Sequence, residues 1–164
     1  MKVLVTDKIN ELAGKEVVLR VVCNMPYDRK TKYISIDNIQ WERNLAKETI
    51  RRSHLGIMPL IDGKVQRGKG GFKLIQYLSE GVPVIASDVG FCREVVRESC
   101  GFLLRDGTDW IKSVVKVATS EQEWVGLSEG AGERYKERFD FSRNARILVE
   151  RIKGEDVYYN SSHI

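Results

Sequence analysis

The stretch Leu55–Gly90, LGIMPLIDGKVQRGKGGFKLIQYLSEGVPVIASDVG, decides the fold. It opens on a short apolar run, Leu55–Met58, passes through the polar loop Pro59–Gly70 and a helical pattern over Gly71–Glu80, and closes on a second apolar run, Val82–Ala86. Near-continuous apolar runs of this length mark strands buried on both faces. Two of them joined through a helix make one right-handed crossover of a parallel sheet. Antiparallel hairpins would alternate apolar and polar residues instead.

The same interleaving extends on both sides. Further strands are expected at Val17–Cys23, Tyr33–Ile36 and Phe102–Leu104, with helices at Glu42–Arg52, Cys92–Arg97 and Trp110–Ala118, the last capped by Thr108 or Asp109. The final third reads as helical. Ser120-Glu121-Gln122-Glu123 has the capping-box pattern ahead of Trp124, Leu127, Ala131 and Tyr135 on one face. Ser142 is placed to cap a closing helix whose Ala145, Leu148, Val149 and Ile152 repeat at helical spacing, so that helix is expected to dock on the body. The first residues are ambiguous. Lys2–Val5 has strand propensity, whereas Val5, Ile9, Leu12 and Ala13 share a helical face, and the reading leans to helix.

The expected fold class is therefore α/β, a Rossmann-like doubly wound parallel sheet closing with C-terminal helices. One domain is expected over residues 1–154, lacking its first strand if Lys2–Ala13 is the helix that follows it, with a polar tail at 155–164. A sheet without a central strand would leave an exposed slot and favour a homodimer of the isolated chain. The 164 residues are 42% hydrophobic and 30% charged, a globular composition, and no apolar run reaches the roughly 18 residues that cross a bilayer. Met1–Asn10 has no signal-peptide pattern, so the cytoplasm is the expected compartment. Cys23, Cys92 and Cys100 read as buried free thiols, and the two histidines, His54 and His163, are too scattered for a metal cluster. No metal or other cofactor is expected. The net charge of +4 suits an anionic partner, but no nucleic-acid motif accompanies it, and no nucleic-acid partner is expected.

The position of the cations is more informative than their sum. In open parallel sheets ligands sit outside the carboxyl ends of the strands, and the loop Pro59–Gly70 leaves such an end with Lys64, Arg67 and Lys69. Gly68, Gly70 and Gly71 then bring bare amides to the start of the next helix, where free N–H groups and the macrodipole attract phosphate. On that helix Phe72, Ile75 and Leu78 are expected to point one way, and Lys73, Gln76, Tyr77 and Glu80 another. Arg67, Lys69, Gly70, Gly71 and Lys73 are thus the candidates for binding a diphosphate, with Gln76 one turn on for ribose hydroxyls. Trp41 stands near the expected crevice and reads either as a nucleobase wall or as packing.

The run from Gly68 through Lys73, Gln76-Tyr77 and Gly81-Val82-Pro83-Val84 to Gly90 resembles the donor-site signature of retaining GT-B glycosyltransferases, the large family that includes glycogen synthases and bacterial polysaccharide transferases. The resemblance continues through Glu94-Val95-Val96, Gly101–Leu104 and the helix after Phe139-Asp140-Phe141-Ser142, covering roughly Val17–Ile152. It implies the C-terminal, donor-binding half of such an enzyme. That half would bind a nucleotide diphosphate sugar for retaining transfer to an acceptor on a separate N-terminal domain, be inactive as a fragment, serve polysaccharide biosynthesis, and meet the membrane peripherally in the full enzyme. The family's glutamate pair falls on Gly68 and Gln76. Gln76 keeps the hydrogen bonds to ribose, but Gly68 cannot replace the glutamate facing the sugar, and the catalytic residue is left unassigned.

Two other readings compete. Gly63-Lys64-Val65-Gln66-Arg67-Gly68-Lys69 has P-loop spacing and Asp88 ends an apolar strand, yet position 70 is Gly where that motif needs Ser or Thr for magnesium. A non-catalytic nucleotide-binding domain, or a degenerate transferase homologue, would share the same fold.

Overall fold

The computed structural model describes residues 14, 16–28, 35–105 and 107–154. The expectation for Lys2–Ala13, the residue His163 and the tail 155–164 lie outside them.

Among the described residues five strands form, all paired in parallel. They are β1 (Val18–Cys23), β2 (Ser35–Gln40), β3 (Gly56–Met58), β4 (Val84–Ser87) and β5 (Gly101–Leu104). They make two sheets where the sequence pointed to one: β1 with β2, and β3-β4-β5. The two differ in chemistry. Val84, Ile85 and Ala86 of the central strand are fully buried, whereas β1 leaves Val18 half exposed and β2 pairs to it partly through an Arg20–Asp37 ion pair at 2.9 Å. Among the described residues no strand joins β1 to β3.

The helices are α1 (Arg43–Arg51), α2 (Lys64–Arg67), α3 (Phe72–Ser79), α4 (Cys92–Val95), α5 (Gly107–Thr119), α6 (Glu121–Arg134) and α7 (Phe141–Lys153), with a π-helical turn, Tyr135–Phe139, between the last two. Leu74 and Leu78, one turn apart on α3, are wholly buried and meet Val84, Ala86, Val95, Cys100 and Ala131 in the core. Ile75 and Leu78 pack inward as expected, but the face is corrected at two positions: Tyr77 also packs against the core, while Phe72 is 70% exposed. The reason is that α3 lies between the sheet and α6, so its residues at i and i+4 are covered on both sides. At the end of α3, Glu80, its side chain 7% exposed, accepts from Arg51 at 3.0 Å and faces Lys47 at 3.4 Å, tying α1 to α3.

The Ser120 N-cap forms, its hydroxyl accepting from the Glu123 amide, while the Glu123 carboxylate takes Lys116 at 2.5 Å. Leu127 and Ala131 are buried and Tyr135 packs on the core, as the spacing required, while the Trp124 indole N–H donates to the His54 carbonyl at 2.9 Å. The final helix departs from expectation twice. Asp140, not Ser142, caps it, accepting from the Arg143 amide at 2.7 Å. Its apolar stripe also faces away from the body, with Leu148 59% and Ile152 77% exposed, because α7 rests on the π turn through its opposite face. Cys92 and Cys100 are buried, and burial raises both thiol pKa values; Cys23 is only half-buried.

Candidate functional site

The carboxyl ends of β3, β4 and β5 are drawn together by short contacts. The Leu60 amide donates to the Ser87 hydroxyl at 2.8 Å, and the Asp88 amide to the Leu104 carbonyl at 3.0 Å. Over them folds the loop 59–70, which holds the one-turn helix α2. Gly90, at φ +53°, lets the turn after β4 lie against the Arg67 backbone: a Cβ there would stand 2.4 Å from the Arg67 carbonyl oxygen.

Charges are dense at this end. The Arg67 guanidinium grips Asp62 with two bonds, 2.6 and 3.0 Å. The Asp88 carboxylate, 13% exposed, takes Arg93 on one oxygen and Arg105 on the other, the latter at 2.5 Å. Hydrogen bonds from Arg93 and then Arg105 hold the Asp88 carboxyl below the usual carboxylate range, and the bond from Arg67 does the same for Asp62. Three arginines against two carboxylates leave this cluster cationic. Lys64, Lys69 and Lys73 add to it, since none has an ion pair among the described residues.

These lowered pKa values predict an acid-side effect. A carboxylate whose folded pKa is depressed contributes stability that is complete well above its unfolded pKa, 3.8 for Asp88, and is lost as the pH falls through the lower folded value. Asp88→Asn is therefore expected to flatten the loss of stability below about pH 5. Urea titrations of both proteins between about pH 3 and pH 7 read this directly, and parallel curves would contradict it.

Helix α3 begins beside this cluster. Gly71 occupies its N-cap in the left-handed region, φ +64°, with no side-chain cap. The Gly71 carbonyl accepts from the Leu74 and Ile75 amides, so the amides of Phe72 and Lys73 have no intrahelical partner. Gly71 is buried against Val95 and Phe91, while a Cβ at Gly70 would meet nothing within 4 Å. Lys69 and Lys73 are both exposed and flank the same helix end, and Gln76 follows one turn on. Among the described residues, Arg67 is the one expected phosphate ligand engaged by a carboxylate. The Gly63–Lys69 segment does not make a P-loop: Lys64–Arg67 is helical, and the Arg67 amide is bonded to the Gly63 carbonyl at 2.9 Å.

Asp62, Asp88, Arg93 and Arg105 were not singled out as site residues from the sequence. Only Asp88 carried a signal, as an acid ending an apolar strand. Trp41 is 49% exposed after β2. A separate cavity of about 350 Å³ runs along the outer edge of β5, lined by Val96, Arg97, Glu98 and Phe102 among others.

Parallel strands, helical crossovers and a cationic helix start at the strands' carboxyl ends define a Rossmann-like α/β protein. The family described as glycosyl transferases, group 1, matches residues 3–120, and the chain belongs to it. No curated protein matches. Among solved structures, Anabaena Alr3699/HepE in complex with UDP is similar over 73% of this chain at 16% identity, with a TM-score of 0.58. Its complexes with UDP-glucose and with UDP and glucose give TM-scores of 0.56 and 0.57 at the same identity and coverage. The chain spans about a third of the length of these structures, 32% in each. Among the described residues no helix is long and apolar enough to cross a membrane.

Proposed function

We propose that this chain is the donor-binding half of a glycosyltransferase and seats the diphosphate of a nucleotide diphosphate sugar at the start of α3. The observation that carries the reading is the uncapped, glycine-led N-terminus of α3 flanked by Lys69 and Lys73, neither of them in an ion pair among the described residues. Lys69 and Lys73, with the amides near Gly70 and Gly71, meet the phosphates, and Gln76 orients the ribose. Arg67 joins them by sharing its guanidinium between Asp62 and the ligand. In the transfer step these groups offset the charge that grows on the leaving diphosphate, without a metal. The acceptor is held by a separate N-terminal domain, transfer retains configuration, and the chain alone binds without turnover. The UDP and UDP-glucose complexes of the similar structures make UDP the first donor fragment to try.

Lys73→Ala is expected to weaken UDP binding by about 1–3 kcal/mol, the cost of one charge-assisted contact. Titration calorimetry of the two proteins measures it, and equal affinities would remove Lys73 from the site. A second reading, a degenerate homologue that binds without ever transferring, is favoured by Gly68, which offers no carboxylate where the resemblance calls for one. Turnover of a UDP-sugar by the chain joined to an acceptor domain would exclude it.

A further inference from the structure

Asp88 holds more positive charge than it can neutralise. Each of its oxygens takes the Nε of a different arginine, Arg93 in α4 and Arg105 just past β5, the latter at 2.5 Å. Arg93 adds a second bond, from a terminal nitrogen to the Asp88 carbonyl at 2.9 Å. One carboxylate between two guanidiniums leaves a positive charge over. The two side chains are 55% and 81% exposed, and the terminal nitrogens of Arg105 have no hydrogen-bond partner among the described residues. Asp88 thus fixes two planar forks side by side and leaves an outer end open, the arrangement that recognises a further carboxylate at little cost in side-chain ordering.

The place of this pair becomes specific on the donor reading given above, on which the inference rests. With the ribose at Gln76 and the diphosphate at the start of α3, the transferred sugar stands beyond that helix end. The neighbour there is the turn after β4: a Cβ on Gly71 would meet Val95 at 3.1 Å and Phe91 at 3.3 Å, and Gly90 packs on the Arg67 backbone. The two charge clusters adjoin, since the Asp62 carboxyl is held low by its bond from Arg67 and also by the charge of Arg93. Arg67 is matched by Asp62, so the arginine charge in excess lies at Asp88. We propose that Arg93 and Arg105 are specificity residues that grip a carboxylate on the transferred sugar, so that the site takes a nucleotide diphosphate uronate in preference to a neutral hexose.

The test is titration calorimetry of the full chain with UDP, UDP-glucose and UDP-glucuronate, the last two differing only in a hydroxymethyl or a carboxylate on the sugar. At low ionic strength UDP-glucuronate is expected to bind about tenfold tighter than UDP-glucose, the ratio that one charge-assisted contact supplies. Arg105→Gln, which leaves Arg93 on Asp88, is expected to lower that ratio by about threefold or more, and Arg93→Gln with Arg105→Gln to bring it to about one. A merely structural role would weaken both donors alike and leave the ratio standing. Arg52→Gln, an equal change of charge on α1, is expected to keep the ratio. Equal affinities of the wild type for the two sugar nucleotides overturn the uronate inference, as does a ratio that Arg105→Gln leaves intact or that Arg52→Gln lowers as far; binding of UDP in those cases preserves the donor reading. Failure of UDP and both sugar nucleotides to bind overturns both.

Discussion

Replacement of Gly90 by valine is expected to destabilise the protein by about 3 kcal/mol or more and to weaken UDP binding at the same time. Two costs add. The residue sits at φ +53°, where a β-branched side chain is strained, and its Cβ would stand 2.4 Å from the Arg67 carbonyl oxygen and 2.8 Å from the Arg67 Cα. The obstacle is backbone, which cannot move aside as a side-chain tip can. Either the turn after β4 or the loop bearing Arg67 and Lys69 must shift, so the phosphate site deforms together with the fold. For a chain of this size the loss corresponds to a fall in thermal midpoint of roughly 6–12 °C. Urea unfolding and UDP titration report the two effects separately. Wild-type behaviour in both would show that the loop does not rest on that turn.

Leu74→Ala should cost about 2–5 kcal/mol, because its side chain has no exposure and its removal leaves a cavity between the β3-β4-β5 sheet, α4 and α6. Phe72→Ala, two residues earlier, should fall within about 0.5 kcal/mol of wild type, since 70% of Phe72 already faces solvent. The contrast is informative because spacing alone placed Phe72 on the core face. Thermal unfolding followed by circular dichroism decides it, and similar losses at both positions would return Phe72 to the core.

The sequence was legible where one local rule operated without competition. The short apolar runs around Met58, Val84–Ala86 and Leu103, bounded by turn residues, read as strands of a parallel sheet, and the strands form there, the central one fully buried at Val84–Ala86. Ser120 and Glu123 lie three apart ahead of an apolar stripe, and the cap forms. The glycines before Phe72 announced a helix start with free amides, and α3 begins there at a left-handed Gly71. The rules failed where two candidates were nearly equal. Asp140 and Ser142 both can cap a helix, and the intervening π turn puts Asp140 at the N-cap. A stripe at 145, 148, 149 and 152 shows that a face is apolar but not which way it points.

What the amino-acid order determined by itself was therefore local: the strand-helix alternation, the parallel pairing that such alternation requires, and the gathering of Lys69, Gly70, Gly71 and Lys73 at one helix end. Tertiary structure alone decided the rest. It split the strands into two sheets, turned the apolar stripe of α7 outward, and set Arg93 and Arg105 on the two oxygens of Asp88, with Lys69 and Lys73 in no ion pair among the described residues. Propensity and periodicity act over a few residues, whereas an ion pair between residues 17 apart, such as Asp88 with Arg105, exists only once two strand ends have been packed side by side.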